Sequence, residues 1–189
     1  MQYSGKRSTE LSGWHLLPFS MQQQAQPNWC WAAVTASVAV FFDAVTTQTQ
    51  CLIAGVQLRR QDCCGAGAGG PCNVYGFLAS ALNRVGHLKT WYPAASTPLA
   101  NLRSELDAGR PVCVRVAWDS GGAHFVTVIG YLPDSDVIAG SALVAVEDPV
   151  WGSSDVPYDV LRVGYQFDGR WTDSYHTKGA QHRGHPPAA

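Results

Sequence analysis

An α+β domain of two layers is what this sequence predicts, and three observations carry that reading. Segments with the marks of helices fill the chain to about residue 108, Val-rich segments separated by Gly, Asp, Ser and Pro follow from about residue 110, and no internal repeat interrupts the order. The length of 189 residues suits one domain, and 46% hydrophobic residues suit a packed core. A chain of this size buries roughly 70% of its unfolded surface, so its core needs neither a metal nor a partner.

The elements follow in order. Residues 1–23 are polar and aperiodic apart from Trp14, Leu16, Leu17, Pro18 and Phe19, which read as an extended segment laid on the domain. Pro27 disfavours helix at Gln26, Asn28 is a natural N-cap, and Cys30 to about Ala44 runs Ala-, Val- and Phe-rich without a breaker, as a buried helix would. Thr49 to Leu58 suits a second helix, and the Gly-rich run from Gly65 to Pro71 must be loop. Asn73 would cap a third helix through about Val85, closed by Gly86. A fourth begins at Ser96-Thr97-Pro98 and runs to about Ala108, before Gly109. Four strands of an antiparallel sheet are expected at Pro111–Ala117, Phe125–Tyr131, Ala142–Glu147 and Val160–Phe167. The polar end from Thr177 reads as frayed, the three histidines His176, His182 and His185 with it.

Charge narrows the functions. Thirteen Lys and Arg against fourteen Asp and Glu leave a net charge of −1, which removes the attraction that drives binding to nucleic acid or an anionic membrane. The longest nearly uncharged stretch, Ala32 to Phe42, falls short of the ~20 apolar residues of a spanning helix. No apolar h-region follows the N-terminal basic pair, so no signal peptide is visible. Six cysteines are present, of which Cys51, Cys63, Cys64 and Cys72 crowd around the Gly-rich loop. As two disulfides they would imply an oxidising compartment at some stage, with three pairings open and the vicinal Cys63–Cys64 bond the least favoured. They lack the CxxC pair and neighbouring His of a zinc site, so no metal or other cofactor is expected.

Chemistry centres on Cys30. A cysteine in a helix's first turn lies where partial positive charge and free backbone N–H groups favour thiolate, the nucleophilic form. Its own N–H and the side-chain amide of Gln24, six residues upstream, could receive the oxyanion of a tetrahedral intermediate. Among the histidines, His124 stands at the start of a strongly apolar strand behind Ser120-Gly121-Gly122-Ala123, whereas His15 and His87 lie in polar surroundings. Asp148, closing the next strand, could lie beside His124 and fix its tautomer, while Glu147 alternates to the opposite face.

These residues carry a resemblance. Gln24, five intervening residues, then Cys30-Trp31 is similar to the papain pattern. His124 to Tyr131 resembles the papain-type histidine strand, and Asp148-Pro149-Val150-Trp151-Gly152 resembles its Asn-Ser-Trp-Gly, with Asp for Asn and one residue more. The Gln61-to-Asn73 stretch is similar to the papain disulfide loop. The Asn-Trp-Cys-Trp-Ala-Ala core, from Asn28 to Ala33, and the short length look closer still to the papain-like proteases that bacteria secrete as plant-directed effectors, with toxin-associated relatives. The resemblance implies an N-terminal helical half and a C-terminal antiparallel sheet half within residues 14–178, after an extension (1–13) and before a flexible tail (179–189). It also implies a peptidase with Cys30 as nucleophile, His124 as base, Asp148 as orienter, and Gln24 with Cys30 as oxyanion hole. Trp29, Trp31, Trp118 and Trp151 are candidates for lining the cleft, though packing suits at least two of them. The implied partner is a protein or peptide substrate met by a monomer outside the producing bacterium, with an immunity protein or a host activator as further partners. Other readings are glutamine deamidation or transglutamination by the same triad, a bacteriocin-leader peptidase of the kind fused to transporters, and an idle papain-shaped binding module. In place of papain's Gly-Ser, Asn28-Trp29 precedes the nucleophile, a bulkier approach to the thiol.

Overall fold

The computed structural model describes residues 13–133 and 142–179, so most of the expected extension and tail, with His182 and His185, lies outside the described residues. The elements are β1 (His15–Leu16), α1 (Cys30–Phe42), α2 (Gln50–Leu58), α3 (Leu78–Arg84), β2 (Leu88–Tyr92), α4 (Leu99–Asp107), β3 (Val112–Ala117), β4 (Ala123–Tyr131), β5 (Leu143–Asp148), β6 (Gly152–Pro157), α5 (Tyr158–Val163) and β7 (Arg170–Thr177). All seven strands join one antiparallel sheet in the order β2-β7-β3-β4-β5-β6, with β1 pairing the end of β4.

Side-chain alternation gives the sheet two buried faces. Cys113, Phe125, Ile129, Ala145 and Tyr175 pack with α1, α2 and α3, whereas Val112, Val114, Val116, Val126, Val128, Val144 and Val146 pack with Leu102 and Leu106 of α4 and Leu161 of α5. Helix α1 is buried along most of its length because Ala and small polar residues let the sheet and its neighbours close on it; Thr35 and Ser37 satisfy their hydroxyls on carbonyls one turn back. Among the described residues no helix is long and apolar enough to cross a membrane.

Several boundaries depart from expectation. Trp29, not Asn28, holds the N-cap position of α1, because Asn28 is spent on Asn73: its backbone N–H donates to Asn73 Oδ1 and its Nδ2 to the Asn73 carbonyl. Asn73 is therefore no cap either, and α3 begins only at Leu78. The segment expected as a fourth strand, 160–167, is instead helix α5 followed by a turn. Val160 and Val163 suggest strand by propensity, but β6 already occupies the edge of β5, and Tyr158 and Leu161 bury one face of a helix. Strands β6 and β7 are too polar to show a hydrophobic run, and β2, although it lies before residue 108, joins the sheet through β7.

Candidate active site

Neighbouring strands bring His124 and Asp148 to one end of the sheet, since β4 begins where antiparallel β5 finishes. Two consecutive left-handed glycines, Gly121 (φ 93°) and Gly122 (φ 86°), turn the chain into β4, a conformation few other residues accept. His124 Nε2 lies 2.9 Å from Asp148 Oδ1, both groups being buried. That oxygen also accepts the backbone N–H groups of Val150 (2.7 Å) and Trp151 (3.1 Å), so the Asp-Pro turn winds around its own carboxylate. The Oδ2 atom accepts the Tyr165 hydroxyl at 2.9 Å.

Cys30, a free thiol, opens α1 and hydrogen-bonds with the His124 side chain. Burial disfavours a charged His124, but hydrogen bonds and negative charge from Asp148 and Cys30 outweigh it and raise its pKa to about 9. As the first helical residue, Cys30 has an N–H with no partner inside the helix. Gln24 is held in its own loop: Nε2 donates to the carbonyls of Gln26 (3.0 Å) and Pro27 (2.7 Å), Oε1 is buried without a hydrogen bond, and the backbone N–H donates to Pro149. The glutamine loop and the Asp148 turn are thus tied together.

The four tryptophans separate into two pairs. Trp29 and Trp31 are packing residues, essentially without exposure, and their indole N–H groups donate to the carbonyls of Cys72 and Val74. Trp118 stacks beside His124 (6.4 Å) and Trp151 meets it edge-on (5.3 Å), so two indoles wall the imidazole. Disulfides join Cys51 to Cys64 and Cys63 to Cys72. The latter consumes the two sulfurs that, with Asp62, form the metal-like group among the described residues.

His15, His87 and His176 are not in the surroundings expected of them. His15 pairs in β1 and stacks on Tyr131. His87 is buried and stacks on Phe42. His176 lies in β7, hydrogen-bonded to Thr97 and close to Glu105, and burial lowers its pKa. Two supporting residues carried no sequence signal. Tyr165 sat inside an expected strand, and Gln50, which pins the 22–25 segment through Gln23 and Ala25, looked like an ordinary polar helix residue.

An apolar groove of about 530 Å³ takes in Ala123 and Phe125, the residues on either side of His124, and runs between Tyr75 and Phe77 of the helical side and Trp91 and Tyr175 of the sheet, with Arg115 also on its wall; Cys30, His124 and Asp148 do not line it.

The family model described as papain-like cysteine protease AvrRpt2 matches residues 11–156. No curated protein matches the sequence. The peptidase domain of Streptococcus ComA, a bifunctional ABC transporter of a quorum-sensing pathway, superposes with a TM-score of 0.52 at 14% identity, over 84% of this chain and 98% of that one. Pseudomonas avirulence protein AvrPphB gives a TM-score of 0.40 at 12% identity, over 85% and 97%.

Proposed function

The chain belongs to the papain-like cysteine protease family of AvrRpt2, and from that membership we propose that it cleaves peptide bonds through Cys30, His124 and Asp148. The observation that carries the assignment is the buried imidazole held by Asp148 at Nε2 and hydrogen-bonded with Cys30. The Cys30 thiolate attacks the scissile carbonyl carbon, and the electron pair moves to oxygen. The Cys30 N–H receives that oxyanion. Gln24 supplies a second donor by exchanging the Gln26 or Pro27 carbonyl for the more strongly charged oxygen. His124 passes its proton to the departing amine nitrogen, leaving a thioester. A water then gives a proton to His124, attacks the thioester and releases the acid and the thiolate. Asp148 keeps the imidazole in one orientation throughout.

The groove beside His124 receives the substrate, and its aromatic walls favour an apolar side chain near the cleaved bond. Residues 14–178 form the catalytic unit, the chain acts as a monomer, and its place of work is outside the producing bacterium, as a secreted effector. The two disulfides agree with passage through an oxidising compartment.

Treatment with E-64, followed by intact mass and peptide mapping, tests the assignment. A single adduct on Cys30, lost in His124→Ala, is expected. Absence of an adduct in protein whose two disulfides are intact and whose Cys30 is a free thiol would overturn it. Release of ammonia from glutamine side chains without backbone cleavage would replace it with deamidase chemistry.

A further inference from the structure

Tyr165 is fully buried and its hydroxyl donates to Asp148 Oδ2 at 2.9 Å. Burial and the adjacent Asp148 charge both raise its pKa, so the phenol stays a donor across the working pH range. The opposite oxygen, Oδ1, already takes His124 Nε2 and two backbone N–H groups. Oδ2 is where rotation about the Cβ–Cγ bond can be stopped. The chain makes a costly turn to bring the phenol there. Tyr165 and Gly169 exchange backbone hydrogen bonds at 2.9 Å around Gln166 (φ 47°) and Phe167 (φ 94°), two successive non-glycine residues in the left-handed region. A Cβ at Gly169 would run into Val116, Trp118 and the Tyr165 carbonyl, so the turn is wedged against the strand that carries His124's neighbours.

We propose that Tyr165 is a positioning residue of the peptidase reaction, locking the Asp148 carboxylate in the plane that aims His124 at Cys30. This rests on the assignment of the triad above. Without the phenol the carboxylate turns, and the imidazole loses its fixed direction although the main chain is unchanged.

The test is a double-mutant cycle on full-length protein with a fluorogenic peptide substrate. It compares wild type, Tyr165→Phe, Asp148→Ala and the pair, with rates normalised to the E-64-titratable fraction. Tyr165→Phe should lose about ten- to a hundredfold in kcat, the scale of one hydrogen bond to a charged group, with KM within about twofold. Its alkaline limb should move down from about 9 towards the ordinary imidazole value. The pair should be no slower than Asp148→Ala within about twofold, because Tyr165 acts only through Asp148. An unchanged kcat and pH profile, or additive losses, would overturn the proposal. If Tyr165→Phe yields no folded protein, Tyr165→His, which keeps a ring donor, is compared with Tyr165→Leu. The histidine variant must be the faster, and equal rates overturn the role. Activity surviving in Cys30→Ala would sink the triad itself, whereas an inert Cys30→Ala beside a normal Tyr165→Phe would sink only the tyrosine.

Discussion

At residue scale the site is a charge arrangement. His124 carries a pKa of about 9 against 6.5 unfolded. Its contribution to stability is therefore complete below pH 6.5 and is lost as pH rises through about 9. Peptidase activity that uses the protonated imidazole should decline over the same alkaline interval, as a pH–kcat/KM profile will show. Cys30→Ala should abolish turnover while shifting stability by no more than about 1 kcal/mol in denaturant melts, since one small group replaces another. Asp148→Asn should keep more activity than Asp148→Ala, because the amide oxygen can still accept the imidazole N–H; equal losses would deny Asp148 its orienting part. Cys30, His124 and Asp148 were legible because each sits at an element boundary with its neighbours in a recurring spacing. Tyr165 was not. Its role depends on a turn of left-handed residues, and Gln166-Phe167 carries none of the usual glycine or asparagine marks of that conformation.

At the scale of elements, the segment that matters most is the disulfide loop, because it builds the floor under the nucleophile. Asn28, Trp29 and Trp31, flanking Cys30, all hydrogen-bond to Cys72, Asn73 or Val74. Replacing Cys63 and Cys72 by Ala should cost about 2–3 kcal/mol on the chain-entropy estimate for so short a loop. It should also lower the rate of E-64 capture at Cys30, which a purely distant staple would not do. Gly76 lies against the Trp31 indole so closely that a Cβ would collide with the ring. Gly76→Ala should cost about 1–3 kcal/mol by overpacking, read as a lowered denaturation midpoint. Helices α1 and α2 were legible from composition and breakers. The late start of α3 was not, since Asn73 signals a cap by residue type and only the distant Asn28 diverts it. Strands β6 and β7 escaped for the opposite reason: they mix Ser and Asp with few apolar residues, and β7 is buried by its partners β2 and β3 while β6 pairs at the edge with β5.

At the scale of the molecule, the helical layer and the sheet meet in the groove beside His124. Phe77 is exposed on the wall of that groove, where substrate is proposed to bind. Phe77→Ala should therefore raise KM for a peptide with an apolar side chain while leaving kcat within about twofold. The helices-then-strands order of the sequence conveyed the α+β class but not its layering: two layers were expected, whereas α4 and α5 cover the face opposite α1, α2 and α3. Nor did it convey the sheet's strand order. That order has β7, formed by residues 170–177, inserted between β2 and β3. Strand β3 can pair with β4 early, but β2 has β7 as its strand partner and joins the sheet only when the polypeptide has been made almost to Thr177. Cys30, His124 and Asp148 have all been made before Arg170–Thr177, the strand that joins β2 to the rest of the sheet. The sheet is therefore not completed in the order in which its strands are made, and it waits on its latest-made strand.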